Sequence, residues 1–313
     1  MEKFITWSRT FEQIIILEMN TKIWYTKYKS RLEEEMMKVQ YLGTAAAEGI
    51  PAIFCDCETC QKTRLVGGKN IRTRSQALID DCLLIDFPAD TYMHFLQYDV
   101  PLSNIKNCLI THSHSDHLYP EDLEMRKNGF AHLKERKPLT FYSDESGFSM
   151  ISEVKNRYNI SDADILVNQI PLFKPFDVEG YKITALRAAH APESSPVVYL
   201  IEKDGKTVFY SNDTSEYPEE SMTYLKGVKK PINLISLDCT EACGNATYVG
   251  HLTLDRCVEL RKELFRIGVA DDKTKFILNH FSHNGKSVLY DDFVKIAADR
   301  GFEVSYDGMV IEV

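Results

Sequence analysis

The sequence predicts an α/β fold in which mixed β-sheets are covered by helices within one large domain. Three observations carry this expectation. From Val39 onward, short runs rich in β-branched and aromatic residues alternate with segments of helical periodicity. Asp204-Gly205 and Asp307-Gly308 each separate two such runs, and Asp-Gly is the chemistry of a tight hairpin turn. No internal repeat and no low-complexity linker interrupts the region, so one domain is expected rather than two.

Residues 1–36 stand apart as an amino-terminal extension. FITWSRTFEQIIILEMNTKIWYTKYKSRLEEE mixes large apolar residues with charges and has no Gly or Pro. That pattern suits an amphipathic helix that packs on the body of the protein or on a second copy of the chain, which would make a homodimer. The other reading is an upstream extension of a domain that begins at Met37, in MKVQYLGTAAAEG. Within 37–313 the expected strands are, in order, VQYLG, QALID, LLIDF, NCLIT, LTFYS, YKITALRA, VVYLIEK, TVFYSN, NLISLD, KFILN, FEVSY and MVIEV. Helices are expected in parts of 89–98, 120–127, 144–158, 218–227, 253–267 and 287–299. Leu254, Val258, Leu260 and Leu264 recur near helical spacing, with Thr253 placed to cap that helix.

Composition bounds the function. The chain has 313 residues, 44% hydrophobic and 27% charged, with a net charge of −9. This is ordinary globular composition with length for a sizeable core. The acidic balance argues against a nucleic-acid partner, because phosphate neutralisation dominates that kind of affinity. Eight cysteines without a secretory signal point to metal binding or free thiols, and to a cytoplasmic protein. No apolar run approaches the ~20 residues of a membrane span; IIIL at 14–17 is bracketed by Glu12 and Glu18.

The strongest chemical signal lies where NCLIT runs into HSHSDHLYP. His112, His114, Asp116 and His117 form the pattern H-x-H-x-D-H at a strand end, and Pro120 is compatible with a helix start. Two histidines two apart can converge on one metal from a turn, while Asp116 and His117 face a second. Paired metals activate water and clamp the oxygens of a displacement, and imidazole with carboxylate suits zinc, manganese or iron. A surface polar loop is the plain alternative. A second cluster, Cys55, Cys57 and Cys60 in IFCDCETCQ, has the spacing of a metal knuckle. A closed zinc site takes four ligands, and spacing alone leaves the fourth open. The competing reading is a reactive thiol cluster, although no thioredoxin-like context surrounds it.

THSHSDH resembles the signature of the metallo-β-lactamase-fold hydrolases. The resemblance implies an αββα sandwich with metals at one edge of the paired sheets, and further ligands downstream in a set order. The matching positions are His190 in ITALRAAHAPESSPVVYLI, Asp213 in TVFYSNDTSEYP and His280 in KFILNHFSH. Carried over, His112, His114 and His190 bind a first divalent metal, Asp116, His117 and His280 a second, and Asp213 bridges them. Asp116 is thus both ligand and catalytic residue.

YLGTAAAEGIPAIFCDCETCQ with RTRSQALID resembles the amino-terminal region of the phosphoribosyl 1,2-cyclic phosphate phosphodiesterase branch of phosphonate catabolism. That resemblance implies a structural zinc held by Cys55, Cys57, Cys60 and His283. It also implies a general-acid role for His251 in VGHLTLDRC, where a contact to substrate phosphate or support of a helix cap is the alternative. The expected substrate is a small cyclic or nucleotide-like phosphodiester. The resemblance covers roughly residues 37–313 and not the extension.

Other functions compete. A tRNA 3′-processing endonuclease shares H-x-H-x-D-H, but no Gly-Pro-rich basic insertion supplies an RNA-binding arm. A protein like coenzyme PQQ biosynthesis protein B shares the cysteine loop and implies oxidative chemistry. Thioester hydrolysis gives no reason for the cysteines, and a metal-binding module without catalysis is at odds with the full ligand set. The basic stretch RKNGFAHLKERK reads as a solvated face. His94 and His132 have no assigned role. Cys239 and Cys243 read as partly buried thiols near the site's rim, and Cys82, Cys108 and Cys257 as small core residues.

Overall fold

The computed structural model describes residues 36–245, 249–284 and 288–313. Lys38–Val313 forms one compact unit. The helix expected over residues 1–36 lies, but for Met36, outside the described residues.

In chain order the strands are β1 (Lys38–Gly43), β2 (Gln76–Ile79), β3 (Leu83–Ile85), β4 (Asn107–Leu109), β5 (Leu139–Ser143), β6 (Ile165–Gln169), β7 (Phe176–Val178), β8 (Tyr181–Arg187), β9 (Val197–Lys203), β10 (Lys206–Ser211), β11 (Leu234–Asp238), β12 (Lys275–Asn279), β13 (Glu303–Val304) and β14 (Met309–Glu312). They form two seven-stranded sheets, one in the order β14-β1-β2-β3-β4-β5-β6 and the other β13-β12-β11-β10-β9-β8-β7. Each sheet begins antiparallel and ends parallel: β3 to β6 run parallel in the first, β10 to β13 in the second. The central parallel strands β3, β4 and β11 are buried along their whole length, and β3 reads as the unbroken apolar run LLI.

Helices cover the outer faces, and α2 (Thr91–Tyr98) lies between β3 and β4 in the chain. Ile151 and Val154 of α3 (Glu145–Arg157) join the apolar cluster on the first sheet. Leu225 of α4 (Glu219–Lys226), Leu254, Cys257, Leu260 and Leu264 of α5 (Leu254–Arg266), and Phe293 and Ala297 of α6 (Tyr290–Ala298) join the cluster on the second. In α5 the buried residues fall three and four apart, and Val258 sits partly buried at the margin of the stripe. Thr253 caps this helix, its hydroxyl accepting from Arg256 N. Between the sheets lie fully buried tyrosines. The Tyr199 hydroxyl donates to Ile110 O at 2.5 Å and the Tyr181 hydroxyl to Asp80 at 2.7 Å.

The structure departs from the sequence reading in four places. β6 and β7 were not expected: β6 lies at a sheet edge with its last residues exposed, and β7 is three residues long. Helix α1 (Glu58–Val66) follows the cysteine loop and is capped by an unusual residue, Cys57, whose thiol accepts from Cys60 N. Residues 120–126 form a 3₁₀ helix rather than an α-helix, closed by Lys127 N donating to Glu124 O just before Asn128-Gly129. Finally, Asp307-Gly308 is not a hairpin. β13 pairs with β12 in the second sheet and β14 with β1 in the first, so the chain crosses between sheets at this turn. The Asp307 carboxylate is used instead to accept from Thr44 Oγ1 and from Thr73 N and Oγ1, each at 2.6 Å. Asp204-Gly205 does join β9 and β10 as a hairpin.

The parallel strands β3, β4, β10, β11 and β12 end on one edge. Val197 N donates to Thr111 O at 2.9 Å and ties the sheets together there. Phe281 N to Thr44 O, and Ala46 N to Phe281 O, each at 2.9 Å, join the segment after β12 to the segment after β1. The loops on this edge carry the chemistry described next, as is usual where parallel strands end.

Candidate metal centre

The loop after β4 carries His112, His114, Asp116 and His117. Its strand is held on both sides, and its first turn is fixed by Asp86, which directly follows β3. Asp86 accepts from Thr111 N at 2.8 Å and from Thr111 Oγ1 at 2.9 Å, and pairs with His117 Nδ1 at 2.7 Å. His190 follows β8, Asp213 follows β10, and His280 follows β12. His112, His114 and His190 bring one ring nitrogen each within 4.8 Å of the others, as do the donors of Asp116, His117, Asp213 and His280. Asp213 faces both groups. Its Oδ2 lies 3.7 Å from His112 Nε2, 3.9 Å from His190 Nε2 and 3.2 Å from His117 Nε2, while its Oδ1 lies 3.1 Å from His280 Nε2.

The supporting hydrogen bonds decide which nitrogens carry lone pairs. Asp86 accepts from Nδ1–H of His117. The Thr240 hydroxyl donates to Asp238 at 2.8 Å and therefore accepts from His280 Nδ1, also at 2.8 Å. The lone pairs of His117 Nε2 and His280 Nε2 then face each other at 3.2 Å. His190 Nδ1 donates to Gly250 O, so its Nε2 lone pair faces His114 Nδ1 at 3.2 Å. Opposed lone pairs ringed by carboxylates require a positive charge between them. His112 Nε2 and Asp213 Oδ1 are buried without a hydrogen-bond partner, as metal donors awaiting a cation would be.

The titration directions carry the same demand. Burial opposes charge on His117, yet Asp213, Asp116 and Asp86 hold its pKa well above the ordinary histidine value. Burial would raise Asp116 and Asp213, but His117 outweighs it and both stay well below the usual carboxylate range. His112, by contrast, is driven well down by burial. The donor set of imidazoles and carboxylates fits a pair of divalent cations such as zinc, manganese or iron. Asp86 (φ 67°) and His280 (φ 64°) both hold left-handed backbone, which costs non-glycine residues energy and is concentrated at working sites.

A cleft of about 470 Å³ opens over this cluster, within the range of small-molecule sites. His114, Asp116, His190, Asp213 and His280 reach its wall, and His251 joins them. His251 follows the second sheet's β11 and is held by Asp238, whose Oδ2 lies 2.7 Å from His251 Nδ1. Its ring packs 4.7 Å from that of His190 and 5.4 Å from that of His280. Burial lowers its pKa, but Asp238 outweighs burial and lifts it to about 9.

The cysteine cluster lies beside this cleft. His283 Nδ1 is 3.6 Å from Cys55 Sγ and 3.5 Å from Cys57 Sγ. The sulfurs accept from backbone N–H groups: Cys55 from Cys57 N, Cys57 from Cys60 N, and Cys60 from Ala52 N, at 3.3–3.5 Å. Cys60 N–H, then His283, draw the Cys57 thiol down to about 6, whereas burial pushes Cys60 up to about 11. Cys55, Cys57, Cys60 and His283 all lie within 4.8 Å of one another, a closed set of three sulfurs and one imidazole that fits zinc.

Every residue expected in the two donor sets of the main centre and in the cysteine set is brought to its set. Asp86, Thr111, Asp238 and Thr240 were missed. The signal for the two aspartates was present: each terminates a buried apolar strand, in LLIDF and NLISLD. His94 has a packing role, bonded to Gln76 Oε1 at 2.6 Å and Thr73 Oγ1 at 2.7 Å. Cys239 is fully buried in the apolar cluster rather than partly so, and Cys243 is half-buried. Among the described residues no helix is long and apolar enough to cross a membrane.

Two mixed sheets with outer helices and a histidine–aspartate cluster at one edge define a metallo-β-lactamase fold. The chain belongs to the β-lactamase superfamily, whose domain is matched over residues 84–280. Among solved structures, a diphosphatase of the PhnP family is 21% identical with a TM-score of 0.69, over 88% of this chain and 98% of that one. The metallo-β-lactamase-fold protein YhfI of Bacillus subtilis is 18% identical with a TM-score of 0.65, over 89% and 100%. Zinc-bound PqqB of Methylobacterium extorquens is 17% identical with a TM-score of 0.64, over 88% and 100%. At these identities the likeness is one of fold. No curated protein sequence gives a significant match.

Proposed function

We propose that this protein is a metal-dependent phosphodiesterase acting on a small cyclic or nucleotide-like phosphate ester. One observation carries the reading: two donor groups share Asp213 at the floor of a cleft, and a histidine held by an aspartate stands over them. In this reading His112, His114 and His190 would hold one divalent cation and Asp116, His117 and His280 a second, with Asp213 within reach of both sets. Cys55, Cys57, Cys60 and His283 hold a structural zinc. When bound, the paired cations supply Lewis acidity and make water acidic enough to ionise near neutral pH.

The chain's own residues do the rest. Asp86 and Thr240 fix the rings of His117 and His280, so the donor atoms are set before substrate arrives. Asp238 accepts a hydrogen bond from Nδ1–H of His251, leaving Nε2 to hold a proton at the cleft and pass it to the leaving oxygen as the P–O bond breaks. The acidic chain and modest cleft favour a small molecule over a nucleic acid. The kinship in fold with a diphosphatase supports phosphate chemistry.

The test is metal analysis with a phosphodiester panel that includes a ribose 1,2-cyclic phosphate. About three metals per chain and turnover of at least one diester are expected. Asp116→Ala and His280→Ala should abolish turnover while the far-ultraviolet spectrum stays folded; full activity in either sinks the two-metal assignment. Oxygen uptake by an iron-loaded protein inert toward every ester would move the reading to oxidative chemistry.

A further inference from the structure

Glu48 lies at the turn after β1, seven residues before Cys55, and stands between the two centres: it lines the cleft over the main one and approaches His283 of the other. Its Oε1 accepts from Ser282 Oγ, accepts from Asn284 Nδ2 at 3.3 Å, and lies 3.7 Å from His283 Nε2. Glu48, Ser282 and Asn284 also line the catalytic cleft. Nδ1 of His283 faces the cysteine sulfurs, so a cation held among them would take the Nδ1 lone pair and leave the ring proton on Nε2, the nitrogen 3.7 Å from Glu48 Oε1. The backbone bonds between Ala46 and Phe281 hold the two segments in this register.

We propose that Glu48 is the residue that selects substrate in this cleft, and that the cysteine–histidine site sets its position. Resting on the phosphodiesterase reading, this names the substrate class: an ester whose alcohol portion carries free hydroxyls, such as a sugar. A carboxylate flanked by a serine hydroxyl and an asparagine amide accepts from hydroxyl donors and repels a second anionic group. A site built to bond a hydroxyl discriminates strongly against an analogue that lacks one. The zinc is then more than a staple for the loop. It fixes the tautomer and direction of His283, which fixes Glu48, which lines the space beyond the metals.

The test uses the purified metal-loaded protein and its Glu48→Ala and Glu48→Gln variants, with two readouts. The first is the rate at which zinc passes to a colorimetric chelator. Removing the carboxylate partner of a metal-bound histidine should speed loss of one zinc about 10-fold or more in Glu48→Ala. The second is the ratio of kcat/KM for ribose 1,2-cyclic phosphate to that for bis(4-nitrophenyl) phosphate, which has no hydroxyl. The ratio should fall about tenfold in Glu48→Ala, mainly through KM, and less in Glu48→Gln. Cys60→Ser, which removes a zinc ligand without touching Glu48, should lower the same ratio. Unchanged zinc retention in Glu48→Ala overturns the link between the sites, and a proportional loss on both esters overturns the selective role. If the unaltered protein turns over neither ester, the proposed function fails, while zinc retention still decides the link.

Discussion

Asp86 and Asp238 are both fully buried, one directly after β3 and the other at the end of β11, one in each sheet. Each spends its carboxylate on a following threonine and a ring Nδ1: Thr111 and His117 for Asp86, Thr240 and His251 for Asp238. The sequence announced the histidines because histidine is scarce, but these aspartates sit in apolar runs and look like ordinary strand ends. Their role depends on which loops converge, and no spacing rule contains that. Asp238→Asn should leave the fold intact and lower kcat about 10²-fold, because the amide no longer fixes the proton on Nδ1 of His251; steady-state kinetics against circular dichroism checks it. His94 gives a residue-scale prediction about stability. Burial depresses its pKa to about 4, below the unfolded value near 6.5. The unfolded chain therefore binds the proton first as pH falls. The contribution is present in full above pH 6.5 and is lost as pH falls toward 4, with about 2 kcal/mol gone by pH 5. Urea titrations at pH 7 and pH 5 should show this loss in the unaltered protein and a smaller one in His94→Gln.

At the scale of elements, strand runs were readable wherever apolar residues filled them, and helices wherever a stripe recurred. α5 shows why: its buried residues and its Thr253 cap are both local signals. Thr253→Ala should cost about 1 kcal/mol in urea unfolding. Elements that depend on distant partners were not readable. α1 begins at a cysteine whose thiol does a capping oxygen's work, and β6 exists because β5 lies beside it. Asp307-Gly308 is the clearest case, since the local chemistry was right for a turn and the strands on either side belong to different sheets. Gly308 has φ of 90°, and a Cβ there would come within 2.6 Å of the Tyr98 ring. Gly308→Ala should therefore destabilise the protein by about 2 kcal/mol, read as a lower urea midpoint with unchanged slope.

For the whole molecule, the two sheets repeat one plan, antiparallel strands followed by parallel ones, so that their ends meet at a common edge. The burial there of histidines and carboxylates around opposed lone pairs is a cost that a cation offsets. Exhaustive chelation should lower the melting temperature, and restoring free zinc to a thousandfold above its Kd should return about 4 kcal/mol. Calorimetry at fixed zinc activities measures it, and a melting temperature indifferent to chelator would contradict it. Sequence reasoning reached the donor sets through a motif at one strand end. It could not reach Glu48, which comes beside His283 only because the segments after β1 and β12 pair.

The meeting of the cysteine loop with His283 also has a consequence for how the protein is made. Cys55 and His283 are 228 residues apart. A ribosome adding about 5–20 residues per second needs roughly 10–45 s to travel that distance. Throughout that interval the three cysteines are synthesised but lack their imidazole. The loop that borders the cleft is therefore among the last parts of the protein to take its final form, and a nascent chain stalled before residue 283 leaves its thiols open to oxidants and to the wrong metal.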